Sequence, residues 1–121
     1  MTAKILIYGA TGYTGRLVSE QARHAGLAFE IAGRSEESLN LLGNRLRVPF
    51  HVFAVEDKAA LRAALQGVTA VLNCAGPFAA TAQPIMQACI DAGVHYLDIT
   101  AEFKVYALWL NPGRSALRTP A

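Results

Sequence analysis

Three glycines, Gly9, Gly12 and Gly15, follow the short apolar run Lys4-Ile5-Leu6-Ile7-Tyr8 without interruption, and a helical pattern follows them. This is the arrangement in which a dinucleotide pyrophosphate meets a helix N-terminus. Gly9 permits the tight turn out of the strand. Gly12 lets the backbone approach the pyrophosphate, where a Cβ would intrude, and Gly15 lets the helix pack closely on the sheet. The backbone N–H groups of Thr11, Gly12, Tyr13 and Thr14 are expected to face the phosphates, at the end of the helix dipole that carries roughly half a positive charge. Thr11 and Thr14 add hydroxyl donors. The competing reading is a loop that only turns tightly; the strand before it and the helix after it favour the nucleotide.

A second candidate lies at Gly33-Arg34-Ser35, after the next apolar run. An NAD site places Asp or Glu there to accept from the ribose 2′-hydroxyl. Here Arg34 offers a forked cation and Ser35 a hydroxyl, which suits a 2′-phosphate and favours NADP over NAD. The alternative is an ordinary solvated arginine. A third candidate is Asn73-Cys74-Ala75-Gly76-Pro77-Phe78, just past a strand, where open parallel sheets bind their ligands. Gly76 and Pro77 would shape a wall and Phe78 would flank a nicotinamide ring, unless the cluster is simply a strand end with Asn73 capping backbone groups. Cys74 has no basic partner in the sequence and reads as a small buried residue rather than a nucleophile.

Asp98 and Glu102 near the end of the last strand could hold a cationic substrate group or orient a base; a strand-end cap and a solvated carboxylate explain them at least as well. His95 begins a strand, at the end away from the expected crevice. His24 and His51 are isolated and read as surface or sheet residues. No Ser/His/Asp, Cys/His or metal constellation is present in the sequence, so no catalytic residue is assigned.

These loops need a scaffold, and the pattern supplies one. Strands are expected at Lys4–Tyr8, Ala28–Ala32, Phe50–Val55, Thr69–Asn73 and His95–Ile99. Between them, helices are expected from near Gly12 to Ala25 (apolar face Val18, Ala22, Ala25; C′ residue Gly26), over Glu36–Leu46 with Ser35 as N-cap, and over a short stretch capped by Asp57 and closed by Gly67. A fourth helix is expected with Pro84 in its first turn, Ile85, Ala88, Cys89 and Ala92 on its buried face, and Gly93 just beyond its end. Alternating strands and helices predict right-handed βαβ units and an α/β, doubly wound parallel sheet of about five strands in the order 3-2-1-4-5.

The composition agrees. The 121 residues suit one domain, and a 53% hydrophobic content suits a sheet buried on both faces. No apolar stretch approaches the roughly 20 residues of a membrane helix, and the first ten residues are not a signal peptide. With 11 basic and 9 acidic residues and no basic block, nucleic acid is a poor partner. Two cysteines without metal spacing point to a reducing, cytoplasmic setting.

Four segments together resemble the saccharopine dehydrogenase-like family. They are Gly9 to Leu17, Ala32 to Ser35, Val71 to Phe78 and Ala88 to Thr100 (Ala-Cys-Ile-Asp-Ala-Gly-Val-His-Tyr-Leu-Asp-Ile-Thr), in that order. The likeness is to its N-terminal NAD(P)-binding domain, including the branch of trans-acting enoyl reductases, and covers about residues 4–107. The resemblance implies a Rossmann domain binding NADP(H) in an oxidoreductase. It matches the glycine loop to Gly9, Gly12 and Gly15, the arginine after strand two to Arg34, and a loop beside the cofactor to Asn73 through Phe78. Family members often carry Gly-Glu after Asp-Ile-Thr, where this chain has Ala101-Glu102.

Expectations for the C-terminus follow. Residues 1–107 form the dinucleotide-binding domain and 108–121 an atypical tail, in which Pro112 and Gly113 stop a helix begun near Glu102. The fold reads as truncated, without the substrate domain of full-length relatives. The isolated chain is therefore expected to bind cofactor with little or no turnover, a small-molecule substrate belonging to full-length relatives only. A non-catalytic NADP(H)-binding or sensing module is the alternative of another class, and a folded fragment without useful affinity a third. An unpaired sheet edge with Leu108, Trp109 and Leu110 predicts a homo-oligomer.

Overall fold

A computed structural model describes residues 3–99 of the chain. Five strands, β1 (Ile5–Tyr8), β2 (Phe29–Gly33), β3 (Phe50–Val52), β4 (Ala70–Asn73) and β5 (His95–Asp98), alternate with α1 (Tyr13–His24), α2 (Glu36–Leu46), α3 (Lys58–Ala64) and α4 (Phe78–Ala92). All strand pairs are parallel and the order is β3-β2-β1-β4-β5. This is the doubly wound Rossmann arrangement expected from the alternation of elements. Glu102 and the segment 108–121 lie outside the described residues.

The strands feed two cores because successive side chains point to opposite faces. Leu6, Tyr8, Ala32 and Val71 turn to one face and pack with Leu61, Leu65, Ile85, Met86 and Cys89 of α3 and α4. Ile7, Phe29 and Ile31 turn to the other, against Ala22 of α1 and Leu39, Leu42 and Leu46 of α2. Both faces are covered, which is why the strands read as continuous apolar runs.

Local chemistry sets the helix ends. The Ser35 hydroxyl accepts from the Ser38 N–H at 3.3 Å to start α2, and Asp57 Oδ1 accepts from the Ala60 N–H at 3.1 Å to start α3. After α1, Gly26 adopts φ +73°. The Leu27 N–H then reaches the Ala22 carbonyl at 3.1 Å and the Gly26 N–H reaches Arg23 at 3.1 Å, a Schellman closure.

Four expectations need correction. Strand β3 ends at Val52 rather than Val55. Phe53 makes one more bond to the Gly33 carbonyl, and the chain then turns, with the Asp57 N–H on Ala54, so that Phe53 and Val55 enter the core. Helix α4 begins at Phe78, so Pro84 lies inside it instead of at its first turn. The Ala-rich turn before Pro84 is strongly helix-forming, and the carbonyl left without a donor belongs to the exposed Ala80, where water can reach it. Ala92 is exposed rather than on the buried face of α4. On α1, Ala25 is exposed, and the fully buried stripe is Gly15, Ser19 and Ala22. Ser19 satisfies its hydroxyl by donating to the Gly15 carbonyl at 2.7 Å.

Candidate functional site

The three loops singled out in the sequence lie side by side at the carboxyl ends of β2, β1 and β4. Two contacts join them. The N–H groups of Gly9 and Ala10 both reach the Ala32 carbonyl at the end of β2, at 2.9 and 3.3 Å. On the other side, a Cβ on Gly9 would stand 2.6 Å from the Ala75 nitrogen, and Gly9 itself has φ +80°. Only glycine satisfies both conditions.

The remaining glycines differ in kind. A Cβ on Gly15 would lie 2.0 Å from the Gly9 carbonyl oxygen, so Gly15 is required for α1 to sit against the loop. Gly12 has an ordinary φ of −72°, and its Cβ would meet only the Gly9 oxygen, at 3.6 Å. Among the described residues nothing demands glycine at position 12, which is exposed. The open space at Gly12 has room for a close-lying pyrophosphate, so the cradle fits a dinucleotide.

The donors are distributed somewhat differently from expectation. The Gly12 N–H turns back to the Gly9 carbonyl at 3.2 Å. The N–H groups of Thr11, Tyr13 and Thr14 remain without partners among the described residues. The first turn of α1 has neither a side-chain cap nor an acidic residue. These amides are the orphan donors of a helix start, with the positive end of the helix dipole behind them.

Arg34 is exposed beyond β2 and makes no ion pair among the described residues. Its positive charge acts on the neighbouring Tyr8 hydroxyl, opposing the upward push that burial gives that phenol. Tyr8 donates to the Phe53 carbonyl at 2.9 Å. The Ser35 hydroxyl is already engaged: besides accepting from the Ser38 N–H, it donates to Ser38 Oγ at 3.1 Å. Ser35 thus holds the turn that carries Arg34.

The loop after β4 is fixed by side chains. Asn73 is fully buried, and its Oδ1 accepts from the Ala75 N–H at 3.0 Å. Its Nδ2 donates to Thr81 Oγ1 at 3.0 Å and to the Tyr96 hydroxyl at 3.1 Å. Thr81 donates to the Ala75 carbonyl at 2.8 Å, and Tyr96 to Asp98 Oδ2 at 2.7 Å. Burial, foremost, pushes the Tyr96 phenol up, so it stays a neutral donor. Beyond Ala75, Gly76 and Pro77 are exposed, joined by a cis peptide, and a Cβ on Gly76 would meet nothing within 4 Å. Phe78 packs partly against the α4-side core.

Cys74 turns its side chain to the opposite face, into the core beneath α1 and α2. Burial pushes its thiol up to about 11. It is a packed neutral group, as its lack of a basic partner suggested. Sequence reasoning missed Thr81 and gave Tyr96 no role. The available signal was Asn73 itself, because a buried amide needs partners for both its ends. It also missed Glu30, whose carboxylate takes Lys4 Nζ at 2.9 Å and His51 Nε2 at 2.7 Å, away from these loops. A groove of about 770 Å³ between α3 and α4 is lined by Gly67, Val68 and Val94, which precede β4 and β5. None of its lining residues belongs to the three loops. No group of His, Cys, Asp and Glu suited to a metal occurs among the described residues.

The family comparison falls on this same set of loops. Residues 5–119 match the saccharopine dehydrogenase NADP binding domain. The chain belongs to that family. It is an NADP-binding domain of the saccharopine dehydrogenase-like oxidoreductases. Among relatives, a trans-acting enoyl reductase of Mycobacterium tuberculosis is 35% identical over 105 residues, covering 81% of this chain and 25% of the relative. A saccharopine dehydrogenase-like oxidoreductase of Homo sapiens is 28% identical over 117 residues, covering 81% of this chain and 27% of the relative. The chain spans about a quarter of the length of these relatives. Among solved structures, apo saccharopine dehydrogenase (L-Glu forming) from Saccharomyces cerevisiae superposes with a TM-score of 0.74 at 15% identity, covering 88% of this chain and 24% of that one, a likeness of fold. No helix among the described residues of this NADP-binding domain is long and apolar enough to cross a membrane.

Proposed function

We propose that the domain holds NADP(H) across the carboxyl ends of β2, β1 and β4, with each loop taking one part of the dinucleotide. Thr11, Tyr13 and Thr14 donate backbone N–H groups to the pyrophosphate, with Gly9, Gly12 and Gly15 shaping the approach and the Thr11 and Thr14 hydroxyls within the same loop. Arg34 receives the 2′-phosphate, on a turn held by Ser35. The segment from Asn73 through Cys74, Ala75, Gly76 and Pro77 to Phe78 borders the nicotinamide half. The observation that carries this reading is the contrast between Gly15, where a Cβ would stand 2.0 Å from the Gly9 oxygen, and Gly12, where its nearest neighbour among the described residues would be 3.6 Å away. When bound, the nicotinamide supplies hydride chemistry; this chain's own residues bind it, orient it and screen it from water.

For the whole protein we propose an NADP(H)-dependent oxidoreductase acting on a small-molecule substrate held outside residues 3–99, in the cytoplasm. The enoyl reductase name of the 35% identical relative supports reduction as the reaction class. A homo-oligomer pairing through the β5 edge is supported by Leu97 and Ile99, which are about half exposed there.

Calorimetric titration with NADP, NAD and 2′-phospho-AMP tests the binding reading. NADP is expected to bind more tightly than NAD, and 2′-phospho-AMP to bind on its own. Equal affinity for NADP and NAD would remove Arg34 from its role. Binding of none of the three would overturn the site.

A further inference from the structure

In the loop after β4, the backbone N–H and carbonyl of Ala75 trace back, through side chains, to the end of β5. The register explains how. Asn73 is paired with Asp98 across the sheet, and Val71 with Tyr96, so Asn73, Tyr96 and Asp98 share the face beneath α4. Thr81, one turn into that helix, closes the set from above.

The bonds run in one direction. Tyr96 gives its single proton to Asp98 Oδ2. The Tyr96 oxygen is then an acceptor, which orients the Asn73 amide with Nδ2 toward Tyr96 and Thr81. Oδ1 is left facing the Ala75 N–H. Thr81, having accepted from Asn73, gives its own proton to the Ala75 carbonyl. Both polar groups of one peptide residue, Ala75, are thereby gripped. Ala75 is also the residue whose backbone stands against Gly9, the first glycine of the phosphate loop. The same chain of bonds thus fixes the residue that lies against Gly9.

We propose that Tyr96, Thr81 and Asp98 are positioning residues for the nicotinamide half of the cofactor, acting through Asn73 and Ala75 and touching no part of the cofactor themselves. This rests on the binding reading above, in which that half lies along 74–78. A positioning role separates the two ends of the dinucleotide, whereas a general loss of stability would not.

The test measures NADPH and 2′-phospho-AMP affinities of the 121-residue chain and its Tyr96→Phe, Thr81→Val and Thr81→Ser variants. Each of the first two removes one hydroxyl with little change of shape. In both, NADPH affinity is expected to fall about three- to tenfold, the weight of one buried hydrogen bond. Affinity for 2′-phospho-AMP, which has no nicotinamide half, is expected to be unchanged. Thr81→Ser, which keeps the hydroxyl, is expected to bind NADPH like the parent. Parallel weakening of both ligands, or no change in either, would overturn the proposal. A parent chain that binds both ligands while the variants do not move overturns this inference alone. A parent that binds neither overturns the binding reading and this inference with it. Should Tyr96→Phe fail to fold, the Thr81 pair decides.

Discussion

The glycine loop and the loop after β4 stand side by side at the carboxyl ends of neighbouring strands but are built from opposite materials. The first is almost entirely backbone: three glycines, a positive φ at Gly9, and the N–H groups of Thr11, Tyr13 and Thr14 without partners among the described residues. The second is a side-chain construction, in which buried Asn73 draws on Thr81, Tyr96 and Asp98 to fix Ala75. A backbone cradle leaves its donors open for a ligand. A side-chain brace has spent its donors already and contributes shape. The difference teaches that one half of the proposed site holds polar groups in reserve, and the other holds them still.

Substituting glycines breaks this contrast most sharply. Gly15→Ala places a methyl 2.0 Å from the Gly9 oxygen, so α1 must move. It is expected to destabilise the fold by about 3 kcal/mol, lowering the melting temperature in thermal denaturation by roughly 12 °C or more. Gly12→Ala meets only an atom at 3.6 Å. Its stability is expected to stay within about 1 kcal/mol of the parent, while NADP and NAD affinities both fall on the order of a hundredfold by calorimetry. If Gly12→Ala melts like Gly15→Ala, the two glycines serve one structural purpose and the cradle loses its argument.

Arg34→Asp sharpens the comparison within the backbone half. It is expected to weaken NADP by about ten- to thirtyfold, the weight of a charge-assisted contact, and to leave NAD within about threefold. Loss of both to the same degree would place Arg34 elsewhere. On the braced side, burial pushes the Cys74 thiol from 9.0 up to about 11 and the Cys89 thiol up to about 12. Both stay neutral when folded and ionise sooner when unfolded. Stability is therefore complete below about pH 9 and falls as pH rises toward 11. Denaturant unfolding is expected to show a loss of about 1 kcal/mol per thiol between pH 8 and 10, made shallower by Cys89→Ala. A flat profile over that range would show that the thiols are not buried as described.

The two halves were unequally legible in the sequence, for a physical reason. The glycine loop is governed by local sterics, so the spacing of Gly9, Gly12 and Gly15 after an apolar run was enough to read it. Ser35 and Asp57 declared their helix starts because a cap acts on residues three positions away. The brace depends on contacts between positions far apart in the chain. Tyr96 matters because β5 pairs with β4 in a register that sets it beside Asn73, and no local pattern states that register. The start of α4 was misplaced for a related reason. Pro84 is a strong local signal for a first turn, yet the helix begins six residues earlier, at Phe78, where Thr81 is tied to Asn73 and to the Ala75 carbonyl. The length of β3 was overestimated because Phe53 and Val55 are apolar for the core, not for the sheet.

The most direct measurement of the central claim is an amide-resolved NMR titration of the chain with NADP. Shift changes are expected to concentrate at Thr11 to Gly15, at Arg34 and Ser35, and at Ala75 to Phe78, with the groove between α3 and α4 silent. Changes centred on that groove around Leu65, Val68 and Ala88, or no saturable changes at the three loops, would contradict it.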